Sequence, residues 1–272
     1  MGIPVQLTAR SLDGTEIAYW KSGSGPALIL VHGGTADHTR WKSILEPLEA
    51  RLTVYAMDRR GRGGSADEAL PYALAREFED VTAVVDAICA ETGEAPSVLG
   101  HSHGAICALE ASLLTLNLKK LILYEPPIPV GSRIYSPEVV AKLEALLQEG
   151  QREEVVSTFM REIVRVPEEQ LRGMQALPSW EGRAAAAHTI VREIKESDVY
   201  AIDPEKFRAM KVPALLLLGG AGSETFKAAI GLVHDALPAS QVAVLPRQQH
   251  VAMDTGKEIF LKPVLEFLLP SS

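Results

Sequence analysis

The sequence predicts an α/β fold: a mostly parallel, twisted sheet with helices on both faces and an inserted helical lid. Strand-like and helix-like segments alternate through the first 126 residues, an order that calls for parallel strands joined by right-handed crossovers. Residues 27–31 read Ala-Leu-Ile-Leu-Val without a polar break, as a strand covered on both faces should. A serine also stands between two glycines, at Gly100-His101-Ser102-His103-Gly104, where an apolar run ends and a helical one begins.

Taken in order, residues 5–9 and 16–20 are strands, with Asp13-Gly14 as the hairpin turn between them. The buried strand 27–31 follows, then a helix over 41–52, a strand over 53–57 and a long helix over 72–92. Residues 96–99 lead into Ser102, residues 105–110 carry the next helical pattern, and residues 121–124 supply a further strand. At Pro126-Pro127-Ile128-Pro129 the alternation stops, and the chain up to residue 210 is helical in character. Ser136-Pro137-Glu138 opens one helix with a capping side chain and a proline in the first turn, and Gly150 closes it. Residues 153–164 and 180–195 add more helix. Strands return at 213–218 and 241–245, and the helix 257–269 comes last. The pattern divides the chain into a core of residues 1–126 and 211–272 and a lid of residues 127–210, set where open α/β sheets place their sites.

Composition narrows the function classes. With 272 residues, 47% of them hydrophobic and 23% charged, the chain can bury a large core. A net charge of −8 disfavours nucleic acid and anionic membranes as partners. Cys89 and Cys107 both fall inside helical patterns, which suits reduced thiols better than a disulfide. The segment Met1-Gly2-Ile3-Pro4-Val5-Gln6 lacks a basic start and an apolar core, so no secretory leader is expected. No apolar run is long enough to span a bilayer. These features point to a soluble cytoplasmic protein, with a homodimer left open.

The chemistry converges on Ser102. A tight turn between glycines holds a serine at strained backbone angles and lifts its hydroxyl above the sheet, at the positive end of a helix. Such a hydroxyl needs a base within hydrogen-bond reach before it can attack a carbonyl. The last strand-like run delivers one, ending at Gln248-Gln249-His250. Two further stretches accompany these: Asp58-Arg59-Arg60-Gly61-Arg62-Gly63-Gly64-Ser65 and Gln248-Gln249-His250-Val251-Ala252-Met253-Asp254-Thr255. On these motifs the chain resembles the α/β-hydrolase superfamily over nearly its full length. The resemblance is strongest to bacterial serine hydrolases with a helical lid.

That resemblance implies the order nucleophile, acid, histidine, which makes Ser102 the nucleophile and His250 the base. The acid is less regular. The loop after the penultimate strand, Gly219-Gly220-Ala221-Gly222-Ser223-Glu224, holds no aspartate, and Glu224 falls in the first turn of a helix, where a carboxylate suits the dipole anyway. The superfamily's other position is the end of the strand after the nucleophile helix, used in haloalkane dehalogenases and in certain lactone hydrolases (zearalenone hydrolase is one). Here Leu123-Tyr124-Glu125-Pro126-Pro127 offers Glu125, which is favoured over Glu224. Dehalogenases and epoxide hydrolases attack with an aspartate, so Ser102 argues against their chemistry. For an oxyanion, His32-Gly33-Gly34-Thr35 offers the backbone N–H of Gly34, and the residue after the nucleophile offers that of His103.

Other conspicuous residues have plainer readings. Arg59, Arg60 and Arg62 could form a phosphate patch, yet the resemblance assigns them to holding the site loops. Trp41 is expected to pack the helix after the oxyanion loop, and Asp254 to cap the last helix. His32, His38, His101 and the His103 side chain read as supporting groups, with His38 either at the pocket or solvated. In the lid, Trp180 is taken as substrate-binding ahead of Phe159, Met160 and Met174, which read as lid core. The expected activity is that of a serine hydrolase, needing no metal or cofactor, on a small or medium carboxylic ester or lactone. The same residues would serve carbon–carbon bond hydrolysis or perhydrolysis, and a silent ligand-binding protein is the non-enzymatic alternative.

Overall fold

In the computed structural model of the chain, residues 4–67 and 71–269 are described; residues 1–3, the start of the segment read for a leader, lie outside them. Val5–Arg10 (β1) and Glu16–Gly23 (β2) pair antiparallel around the Asp13-Gly14 turn, where the Thr15 N–H donates to the Asp13 carboxylate at 3.0 Å. The other strands are Ala27–Val31 (β3), Thr53–Met57 (β4), Ser97–His101 (β5), Leu121–Tyr124 (β6), Ala214–Gly219 (β7) and Ser240–Leu245 (β8). All eight form one sheet in the order β1-β2-β4-β3-β5-β6-β7-β8, parallel from β4 onward.

Two apolar layers sandwich the sheet. Lys42–Glu49 (α1), Ala252–Thr255 (α11) and Lys257–Leu268 (α12) cover one face; Leu74–Thr92 (α2), His103–Ala111 (α3) and Glu224–Ala236 (α10) cover the other. β3 shows why its sequence lacks alternation: Leu28 and Leu30 enter the first layer, Ile29 and Val31 the second. Trp41, fully buried, packs beside α1 as its place in the sequence suggests.

Between β6 and β7 the chain is helical: Pro137–Gln148 (α4), Arg152–Thr158 (α5), Glu168–Gln175 (α6), Ser179–Ala185 (α7), Ala187–Val199 (α8) and Pro204–Phe207 (α9). The Ser136 side chain accepts from the Val139 N–H and caps α4, with Pro137 in its first turn. The helix expected over 180–195 is two helices. The Arg152 guanidinium takes the Ala185 carbonyl at 2.6 Å, and the Thr189 N–H turns to Ala186 instead. The helix expected over 153–164 passes from α5 into a π-helical turn, Phe159–Ile163, in which the Val164 N–H donates to the Phe159 carbonyl at 3.1 Å. These helices have their own apolar core around Leu143, Val156, Leu171, Trp180 and Ile190. Among the described residues, no helix is long and apolar enough to cross a membrane.

Polar contacts fasten the helical segment to the sheet through α8. Asp67, on the loop after β4, receives His188 at 3.0 Å and Arg192 at 2.8 Å. Burial pushes the Asp67 carboxyl up, but these partners outweigh it and hold the group at about 2, against 3.8 ordinarily. A carboxyl depressed on folding contributes stability above its unfolded value and loses it as pH falls towards the folded one. Limited proteolysis should therefore release the helical segment increasingly between about pH 4 and pH 2. Asp67→Asn should flatten that part of the profile while raising cleavage at neutral pH; an unchanged profile would count against the latch.

Candidate active site

The C-terminal edge of the parallel strands collects the predicted residues. Beyond β5, Ser102 takes φ 54° and ψ −127° and opens α3, a conformation costing of order 1–3 kcal/mol that the surroundings must enforce. The flanking glycines are needed for room. A Cβ on Gly100 would lie 2.5 Å from the Gly104 carbonyl oxygen, and one on Gly104 would overlap the carbonyls of Val31 and His32. Gly33 allows the same close approach from the other side, since a Cβ there would sit 2.9 Å from that of Ser102. The Gly34 N–H has no partner among the described residues. His103 is the first residue of α3, where backbone N–H groups lack an intrahelical acceptor.

Glu125 follows β6 with a left-handed φ of 46° and is fully buried. Its Oε2 lies 2.6 Å from His250 Nδ1, and its Oε1 accepts the Gly219 N–H at 2.7 Å. With Oε2 accepting, Nδ1 carries the proton and Nε2 is left as a free base. Glu224, the other candidate acid, points into solvent at the start of α10, 3.6 Å from Lys227. Two glycines, the last residue of β7 and one in the loop beyond it, explain the missing aspartate there. Cβ atoms at Gly219 and Gly222 would come within 3.0 Å and 3.1 Å of Glu125 Oε1, so the space is already taken by a carboxylate arriving from the neighbouring strand.

The loop carrying His250 is pinned at several points. Tyr124 donates its hydroxyl to the Gln249 carbonyl and accepts the Ala252 N–H at 3.2 Å. His101 Nε2 donates to the His250 carbonyl at 2.9 Å. Burial, above all, drives the His101 pKa well below the usual range and keeps that imidazole neutral, the neighbouring His250 ring further disfavouring a charge there. Phe226 of α10 lies flat on the His250 ring, with centroids 4.4 Å apart and planes 6° from parallel. Ser102 Oγ and His250 Nε2 make no hydrogen bond among the described residues; such bonds commonly tighten only once substrate is bound.

Behind the loop that carries Gly33 and Gly34 lies a buried charge network. Arg59 pairs with both Glu77 oxygens at 2.7 and 2.8 Å, reaches Glu193 of α8 at 2.8 Å and donates to the Gly33 carbonyl at 3.3 Å. Arg62 also pairs with Glu193. Asp58 accepts the N–H groups of His38 and Gly64 and the Trp20 indole N–H, and its carboxylate pairs with the His38 ring, which stacks on Trp20. His38 is therefore neither in the pocket nor free in solvent. The arginines bind protein carboxylates rather than an external phosphate, Arg60 by gripping Asp80 and Asp13. Two groups, Glu77–His103–Cys107 and Asp37–His38–Asp58, are compact enough to hold a cation, but Arg59 and the donors on Asp58 already occupy their carboxylates.

A small cavity of about 30 Å³ opens over Ser102. Gly34, His103 and Glu193 form its polar wall; Pro127, Phe159, Ile190 and Ile194 form the apolar one, and Tyr135 adds a ring that carries a hydroxyl. Two expectations are corrected here. Trp180 does not line the cavity: it is turned into the core of the helical segment, and the π-helical turn presents Phe159 instead. Asp254 does not cap α12, whose N-cap is Gly256; its carboxylate pairs with Arg40 at 2.8 Å and accepts from Ser43. Glu193 was missed by sequence reasoning. Its signal was a carboxylate on the same face of α8 as Ile190, Ile194 and Ser197.

With sheet, turn and cavity in view, the comparisons agree on the class. The sequence profile described as the alpha/beta hydrolase family matches residues 28–263, and the chain belongs to that family. A solved alpha/beta hydrolase from Sphaerobacter thermophilus is 35% identical, with a TM-score of 0.75 over 93% of this chain and 100% of that one. N-formylmaleamate deformylase of Pseudomonas putida is 28% identical over 241 residues, 84% of this chain and 83% of that one. Pimeloyl-[acyl-carrier protein] methyl ester esterase of Vibrio atlanticus is 25% identical, covering 93% and 98%. These relatives make the chain a hydrolase and differ among themselves in the bond they are named for.

Proposed function

We propose that this protein is a serine hydrolase that cleaves a carboxylic ester or lactone through an acyl-enzyme. The observation that carries the reading is the 2.6 Å contact between His250 Nδ1 and the buried Glu125, on the sheet edge where Ser102 stands. His250 Nε2 takes the Ser102 proton as Oγ attacks the carbonyl carbon. The N–H groups of Gly34 and His103 hold the resulting oxyanion, and Glu125 stabilises the imidazolium. Collapse of the tetrahedral intermediate expels the alkoxide, which takes the proton back from His250. Water, deprotonated by the same imidazole, then releases the acid and frees Ser102. The helices between β6 and β7 act as a lid, and the apolar wall of the cavity keeps the acyl group dry.

The direct test is labelling by a fluorophosphonate probe. Wild-type protein should be labelled once, and Ser102→Ala not at all; an unlabelled wild type would overturn the reading. A panel of esters, lactones and vinylogous diketones, compared by kcat/KM, then separates acyl-oxygen cleavage from carbon–carbon cleavage.

A further inference from the structure

The strongest unassigned feature of the cavity is a carboxylate. Glu193 is 3% exposed, and its Oε1 takes the ion pairs from Arg59 and Arg62. No donor among the described residues reaches Oε2, which faces the cavity 3.8 Å from where a Cβ on Gly34 would stand. Oε1 is the buried oxygen of the pair, whereas Oε2 stays open to the cavity and is available to accept a hydrogen bond from a group that enters as a donor. This oxygen also lies beside the N–H that we assign to the oxyanion, where a second negative charge would otherwise oppose catalysis.

We propose that Glu193 is a specificity-determining residue whose Oε2 accepts a hydrogen bond from a neutral donor on the substrate, a hydroxyl or amide N–H close to the scissile carbonyl. The assignment rests on the reading that this carbonyl binds at Gly34 and His103. Charge balance selects a neutral donor. Arg59 and Arg62 face Glu77 and Glu193 in the same buried cluster, two permanent cations against two carboxylates, with the His103 imidazole 3.6 Å from Glu77. An ammonium would add an unmatched charge, and a carboxylate would meet Glu193 directly. Among the other lining side chains, Phe159, Ile190 and Ile194 carry no acceptor, and the hydroxyls of Tyr135 and Ser102 are neutral ones.

The test measures binding, so that it stands apart from turnover. In Ser102→Ala protein, dissociation constants are compared by calorimetry for methyl esters of a 2-hydroxy acid, its 2-methyl isostere and its 2-methoxy ether. A hydrogen bond to a charged acceptor should favour the hydroxy ester by about 10- to 100-fold. Adding Glu193→Gln should shrink that preference at least to about a third while changing the affinity for the 2-methyl ester little. Equal affinities for the three esters, or binding of none, would overturn the proposal. So would a preference that survives Glu193→Gln in protein whose circular dichroism is unchanged. If Glu193→Gln does not fold, the hydroxy-over-methoxy ratio in the Ser102→Ala background alone decides. Loss of probe labelling with a preserved hydroxy preference would remove the catalytic reading and leave this one standing.

Discussion

Glu125→Gln is expected to lower kcat on any cleaved ester by about 10³- to 10⁴-fold with little change in KM. The size follows from tautomers, not from lost packing. Glu125 Oε1 already accepts the Gly219 N–H at 2.7 Å, so the single amide oxygen of a glutamine must stay there and its NH₂ must face His250. An NH₂ donor requires an unprotonated Nδ1, which moves the imidazole proton to Nε2 and leaves no lone pair for the Ser102 proton. Shape and volume are conserved, so the melting temperature should shift by only a few degrees. Glu224→Gln is the control and should leave kcat unchanged, its carboxylate being in solvent. A severe loss for Glu224→Gln with a mild one for Glu125→Gln would give the acid role to Glu224.

Much of this was legible because it depends on local sequence. The hairpin turn, the continuous apolar β3 and the glycine-flanked Ser102 each follow from steric rules acting over a few residues. The acid was legible only as a choice. Nothing within ten residues of Gly219 says why its loop lacks an aspartate, because the reason is a carboxylate 94 positions away. The helical segment between β6 and β7 was the least readable part. Trp180 and Phe159 both sit in helical patterns, and a guanidinium on the Ala185 carbonyl and one π-helical turn decide which ring reaches the cavity. Sequence periodicity carries neither contact. Glu193 was hidden differently: the sequence assigns Arg59 and Arg62 to holding the site loops, but only the fold shows that a carboxylate of α8 is one of their partners.

Arg59 is where loop position and stability meet, and Arg59→Met is expected to cost about 3–5 kcal/mol. The guanidinium is 1% exposed and serves Glu77, Glu193 and the Gly33 carbonyl at once. Methionine fills most of the volume, so the loss comes from carboxylates left buried without their cation. Glu193 keeps Arg62, whereas Glu77 keeps, among the described residues, the Tyr72 hydroxyl at 2.7 Å and the His103 imidazole at 3.6 Å but no permanent cation. In the native protein burial pushes the Glu77 carboxyl up, and the charge of Arg59 outweighs it and holds the group well below its usual range. Without Arg59 burial prevails, and the folded carboxyl titrates above the unfolded one. A group raised on folding destabilises the fold increasingly as pH climbs past its unfolded value, near 4.3, and relieves it below. Thermal denaturation should therefore show the largest gap between wild type and variant at neutral pH, about 6–20 °C, narrowing towards pH 5. Arg59→Met with Glu77→Gln should recover part of that gap, since the second change removes the charge the first exposes. A small, pH-independent gap would mean that Arg59 merely fills space, and the loop at Gly33 and Gly34 would then need another anchor.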